Sequence, residues 1–228
     1  MKRAWIVVGL VLALAVTPVA LAQDSIEIDA SVVARAAAEL ADAYLGGLHD
    51  MMGILATTAD LQVGVWGGMQ ELLGRFETLP VPFDAWYLLP DGSYYKVGTG
   101  LASANLSDRD YFPKVMAGEA TYGDLVVSKS TGRKSMVMTV PIERSGSVIG
   151  ALGVTVYLDD FSALILDALE IPEGMGLFAY APEGRITMHA DVDLLLEGAD
   201  ASGIEQDVPV GVASDFLGWI FVVGPTAE

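Results

Sequence analysis

Between Asp29 and Thr78 the apolar residues recur every three or four positions, and that spacing commits the early part of the chain to helix. Val32, Val33, Ala36, Leu40, Ala43, Tyr44, Leu48, Met51, Leu55 and Ala59 form one run; Leu61, Val65, Met69, Leu72, Leu73 and Phe76 form a second. Glycines at 46, 47, 53, 64, 67, 68 and 74 are too many for one straight, self-stable helix. The pattern therefore predicts one long helix or two in tandem, packed lengthwise against the rest, with its Met and aromatic residues in the core. Leu79-Pro-Val-Pro82 ends it.

Strands follow. Asp84–Leu89 and Tyr94–Val97 flank Pro90-Asp91-Gly92, where Pro presets φ and Gly accepts a positive one, so a hairpin is expected. Phe178 to Ile186 repeats the arrangement around Pro182-Glu183-Gly184, which suggests two related modules in tandem. From Gly176 to a terminal strand at Gly218–Gly224 there is too little chain for a full second copy. On the strand Ser147–Leu158, Ala151, Gly153, Thr155 and Tyr157 share a face whose small residues leave room beside the sheet. Val148, Leu152, Val154 and Val156 take the other face and are expected to pack on the long helix. Asp159-Asp160 then caps a helix over Phe161–Leu169 that ends at Ile171-Pro172.

The stretch Ser107–Pro141 carries the polar residues of interest. Asp110 is placed to cap a short helix with Pro113 in its first turn, and Gly118 suits its end. Alternation on the next strand puts Tyr122, Asp124, Val126 and Ser128 on one face and Leu125 and Val127 on the other. Two strands join at Thr131-Gly132. Arg109 ahead of the helix and polar groups on one strand face can converge on a small polar ligand; a surface loop followed by an edge strand is the plainer reading of the same residues.

This stretch, with the strand after it, resembles the extracytoplasmic Cache sensor family, a relative of the PAS fold. The resemblance rests on Arg109-Asp-Tyr-Phe112, Gly118, Tyr122-Gly-Asp124, Ser128, Thr131-Gly132, Pro141 and Gly150, and spans about residues 84–160. It implies a mixed α/β (α+β) PAS-like fold: a long N-terminal helix on a central antiparallel sheet, with a small second β-containing unit. Residues 23–170 would form the ligand-binding module and 171–228 a truncated second one. Arg109 would grip a carboxylate with its planar fork, the competing reading being a surface Arg paired with Asp108 or Asp110. Tyr111 would wall the pocket, Tyr122, Asp124 and Ser128 would add donors and acceptors, and Phe112 would be core. Amino-acid-binding members carry an Asp on the last long strand, where this chain has Thr155. Asp124 could still serve an ammonium, but a small carboxylate is accordingly the first expectation and an amino acid the second. No transmitter or second spanning segment follows in the sequence. A free-standing solute-binding protein, or the sensing partner of a separate membrane receptor or transporter, is expected.

Residues 1–22 read as a secretory signal peptide: Lys2 and Arg3, an apolar run from Ala4 to Ala15, Pro18 and the small-residue end Ala20-Leu21-Ala22, with cleavage before Gln23. An uncleaved anchor is the alternative; in both cases the rest of the chain faces outward. Removal of the leader takes two of 12 basic residues and none of 30 acidic ones, leaving 10 against 30, a formal charge of −20. That surface argues against nucleic acid and anionic lipid as partners. The absence of cysteine excludes a disulfide framework and a thiol nucleophile.

Catalytic signatures are nearly lacking. His49 and His189 stand alone, without zinc spacing, and GxSxG is absent. Ser93-Tyr-Tyr-Lys96 fits S-x-x-K, and Lys129-Ser-Thr-Gly132 faintly matches K-T-G, which leaves a serine hydrolase as a remote alternative. Ser93, however, falls in a hairpin, where that chemistry needs a helix start. Asp191-Val-Asp193 lacks the glycine and remaining acids of a calcium loop and reads as a helix N-terminus. The sequence thus predicts a binding module with no cofactor, no metal and no catalysis.

Overall fold

The computed structural model describes residues 29–171, 175–198 and 211–225. The leader expected over 1–22 lies outside the described residues. Helix α1 (Ala30–Ala56) starts where the Asp29 carboxylate accepts from the Ser31 N–H at 2.8 Å. Its buried face, Ala34, Ala37, Ala38, Ala41, Leu45, Leu48, Met52 and Ala56, keeps the predicted three-to-four spacing. The helix stops at Thr57-Thr58, whose hydroxyls each donate at 2.7 Å to carbonyls of the last turn. Short α2 (Ala59–Val63) and α3 (Trp66–Phe76) follow. The glycine-rich run is therefore three helices, where one or two were expected.

The proline run leads into a six-stranded antiparallel sheet: β1 (Phe83–Leu88), β2 (Tyr94–Lys96), β3 (Gly100–Leu101), β4 (Thr121–Val127), β5 (Lys134–Arg144) and β6 (Ser147–Tyr157), in spatial order β3-β2-β1-β6-β5-β4. Helix α4 (Tyr111–Met116) lies between β3 and β4, and α5 (Leu158–Leu169) follows β6. A second antiparallel sheet comprises β7 (Met175–Tyr180), β8 (Ile186–Met188), β9 (Gly211–Ala213) and β10 (Ile220–Pro225), in order β8-β7-β10-β9. Asp191 caps a 3₁₀ turn at Val192–Leu194, as read from its spacing. Helix α1 packs on strands of both sheets. Met136, Met138, Leu152, Val154 and Val156 from the large sheet and Phe221 and Val223 from the small one join its face in one core. The result is the mixed α/β architecture anticipated, with a long helix on antiparallel sheets.

Two bulges change which way side chains point. Thr121 pairs with Thr139, but Asp124 pairs with Val137, so one extra residue sits on β4. Gly123 absorbs it at φ 87°, a value a side chain resists. Asp124, Val126 and Ser128 keep the expected face, whereas Tyr122 crosses to the opposite one. On β6 a bulge near Ile149 turns Val148 away from the helix, beside Gly118, while Ile149 joins the main core. Nor do Asp159 and Asp160 cap α5. The helix begins at Leu158, three residues before the expected Phe161, so both fall in its first turn and pair with Arg133 at 2.5 and 2.7 Å.

The room expected beside Gly153 is filled by Trp86, its register partner on β1. A Cβ at 153 would stand 2.2 Å from the indole. Trp86 is buried and donates through Nε1 to Thr155 Oγ1 at 2.9 Å, so the ring has little freedom to retreat. Gly153→Ala should therefore destabilise the fold by about 1–3 kcal/mol, the usual cost of overpacking. Denaturant unfolding checks this; a variant as stable as the parent would mean that the ring is not held.

Candidate ligand-binding site

The face of the large sheet turned away from α1 carries residues in rows. One row crosses four strands as Asp84, Thr155, Val137 and Asp124; the next runs Trp86, Gly153, Thr139 and Thr121. The segment after β3, with α4, covers part of this face and builds a small second core from Trp86, Tyr94, Leu106, Tyr111, Val115 and Val137. A cleft opens at its edge. Thr155 and Val137 line its floor, Trp86, Tyr94 and Tyr111 its aromatic wall, and Lys96, Arg109 and Lys129 bring three cations to it, with Ser128 and Ser130 between.

The cleft holds about 350 Å³ of empty space in all, but water has only about 30 Å³ to move in. That is room for one or two waters. A wider opening, with about 900 Å³ of empty space, adjoins it and shares Tyr94, Lys96, Lys129 and Ser130 as walls.

Arg109 is the least satisfied of the three cations. Its Nη2 donates to the Val127 carbonyl at 2.7 Å, its Nε is buried without a partner, and no carboxylate among the described residues pairs with it. The competing expectation, a pair with Asp108 or Asp110, is not realised. Asp108 instead takes the Lys129 ammonium, which holds its carboxyl below the usual range; Lys129 also donates to the Asn105 carbonyl at 2.8 Å. Lys96 donates to Asp84 Oδ2 at 2.7 Å.

Of the residues predicted for the site, Arg109, Tyr111, Ser128 and Thr155 line this one cleft. Tyr111 is 2% exposed and burial pushes its phenol well above the ordinary value, so it stays protonated. Asp124 ends the floor row without lining the cleft; its charge adds to the rise at Tyr111. Tyr122 is not in the site. The bulge at Gly123 sends it to the other face, where it stacks on Phe216 at 5.3 Å and meets His49 edge-on at 5.5 Å. Phe112 packs against the small second core.

Lys96, Lys129, Ser130 and Trp86 were missed as lining residues. The S-x-x-K and K-S-T-G likenesses did contain both lysines, though the reason for their meeting is different. Ser93 bonds Asp91 at 2.6 Å within the hairpin turn and does not line the cleft. Among the described residues no group of three or more His, Asp or Glu side chains is placed to hold a metal ion.

Behind the floor, Asp84 Oδ2 also accepts from the Tyr157 hydroxyl at 2.6 Å. The Arg133 guanidinium lies 3.9 Å from the centre of the Tyr157 ring. Burial, then the bond to Asp84, pushes the Tyr157 phenol up to about 12.

No family model matches the chain, and no curated protein sequence does. Solved structures do resemble it. The sensory domain of the Campylobacter jejuni chemoreceptor Tlp3 with isoleucine bound is 10% identical, with 86% of this chain and 91% of that one covered at a TM-score of 0.62. The ligand-binding domain of the Pseudomonas fluorescens chemoreceptor CtaA in complex with L-valine is 15% identical, over 87% and 95%, at 0.66. A methyl-accepting chemotaxis protein X is 13% identical, over 86% and 96%, at 0.67. The fold is that of Cache-type sensory domains.

The Tyr157 shift has a pH signature. Between about pH 10 and 12 the unfolded chain gives up a phenolic proton that the folded chain keeps, so stability falls as pH rises through that window. Tyr157→Phe should start less stable at neutral pH, having lost the Asp84 bond, and should lose less stability between those limits. Melting curves across the window test it; identical slopes in parent and variant would contradict the assignment.

Proposed function

We propose that this chain is an extracytoplasmic sensory or solute-binding module that takes a small carboxylate into the cleft. The observation that carries the reading is Arg109: a half-buried guanidinium at the cleft with a buried, unpartnered Nε and no ion pair to a carboxylate among the described residues. An unsatisfied buried donor costs about 1–3 kcal/mol, and a bound carboxylate would remove that cost. Three cations and no Asp or Glu among the lining residues favour an anion in a chain of net charge −18.

An amino acid is the second reading, drawn from the isoleucine and L-valine carried by the chemoreceptor domains of the same fold. Tyr111, Ser128 and Thr155 complete the proposed contacts, and no catalytic step is assigned. No described helix is long and apolar enough to cross a membrane. The leader pattern at residues 1–22 supports export, and a separate membrane receptor or transporter would read out the bound state. Residues 171–228 form, in this proposal, a shortened second module beside the ligand-binding one.

Calorimetry with acetate, propionate, lactate and pyruvate on the mature chain is the direct test. Hydrogen bonds to a charged group are worth about 1.5–3 kcal/mol, so Arg109→Ala should weaken binding by roughly one to two orders of magnitude while the unliganded melting temperature changes little. Leu125→Ala, in the core on the opposite sheet face, should cost about 2–5 kcal/mol of stability and leave affinity nearly unchanged. Normal binding by Arg109→Ala would remove the carboxylate clamp from the account.

A further inference from the structure

Of the two carboxylates that end the floor row, Asp84 and Asp124, Asp84 is already taken by one of the protein's own ammonium groups. Asp84 is the register partner of Thr155, which lines the floor. Its Oδ2 accepts from Lys96 Nζ at 2.7 Å and from the Tyr157 hydroxyl at 2.6 Å. Lys96 also lines the cleft, its side chain only 14% exposed, and its Nζ lies 3.4 Å from Ser130 Oγ on the same wall. This ammonium therefore stands between Asp84 and the space a ligand would enter.

Resting on the carboxylate reading above, we propose that Lys96 determines the specificity of the cleft. Its ammonium fills the place on Asp84 that a ligand's ammonium would need, so the cleft accepts a carboxylic acid and turns away the matching amino acid. Two effects act together. A zwitterion's ammonium finds no unpaired carboxylate on the lining, and it meets the like charges of Lys96, Arg109 and Lys129. Discrimination of this kind comes as much from repulsion as from attraction. The free carboxylate loses nothing, since Arg109 is unpaired and Lys96 turns its positive field toward it.

Propionate and L-alanine differ only by the ammonium group, which makes them the matched probes. The wild type should bind propionate at least about tenfold more tightly than alanine, a difference of 1.4 kcal/mol. Lys96→Met keeps the apolar stem and removes the charge, leaving Asp84 free to receive an ammonium. It should weaken propionate and strengthen alanine until the order reverses. Should that variant not fold, Lys96→Gln retains a donor for Asp84 without the charge, and the two affinities should then converge. A wild type that binds propionate, with variants that keep its preference unaltered, would overturn the role of Lys96 and leave the carboxylate reading intact. A wild type that binds neither probe nor any acid of the panel, or that prefers alanine, would overturn both.

Discussion

The indole of Trp86 is the part on which the cleft depends. It lies over Gly153 where no side chain fits, bonds Thr155 on the floor, and supports Tyr94 and Tyr111, whose ring centres lie 6.0 and 6.1 Å away. An interior packed this tightly does not deform continuously, so the aromatic wall and the floor hold one geometry together. The polar groups of the cleft then work from fixed positions. The rim lysines are engaged too, Lys96 by Asp84 and Lys129 by Asp108 and the Asn105 carbonyl.

Charge is arranged against the average of the molecule. The chain carries −18 overall, yet the cleft brings together Lys96, Arg109 and Lys129. At about 0.1 M salt the screening length is roughly 10 Å, so distant surface carboxylates contribute little to what an anion meets inside. The local balance decides, and there Asp84 and Asp108 each engage one lysine and leave the arginine over. Lysine suits the paired posts and arginine the open one, since only the planar fork binds a carboxylate through two parallel bonds.

What the sequence made legible follows from how local each signal is. The helical spacing after Asp29 and the hairpin at Pro90-Asp91-Gly92 depend on neighbours within a few residues, and both are present. The grouping of Arg109, Tyr111, Ser128 and Thr155 was reached through resemblance joined to strand alternation. Alternation failed at Tyr122 because one glycine at positive φ adds a residue to the strand and reverses every face before it. Lys96 and Asp84 stayed hidden for another reason. Their pairing depends on the β1–β2 and β1–β6 registers together, and nothing in the spacing of residues 84 and 96 announces that the row they border forms a floor.

Helix α1 serves two sheets at once, and near its middle the Asp42 carboxylate accepts from the backbone N–H groups of Asp215 and Phe216 at 2.5 and 3.2 Å. Neither sheet owns a complete hydrophobic partner. Each borrows the same row of alanines and leucines, so the helix cannot leave one without baring the other. The ten described strands and α1 should therefore open as a single cooperative unit, in which the slowest-exchanging amides of both sheets report the same global opening. Stabilisation gained at either sheet would then be shared by the other, because both depend on the same helix face.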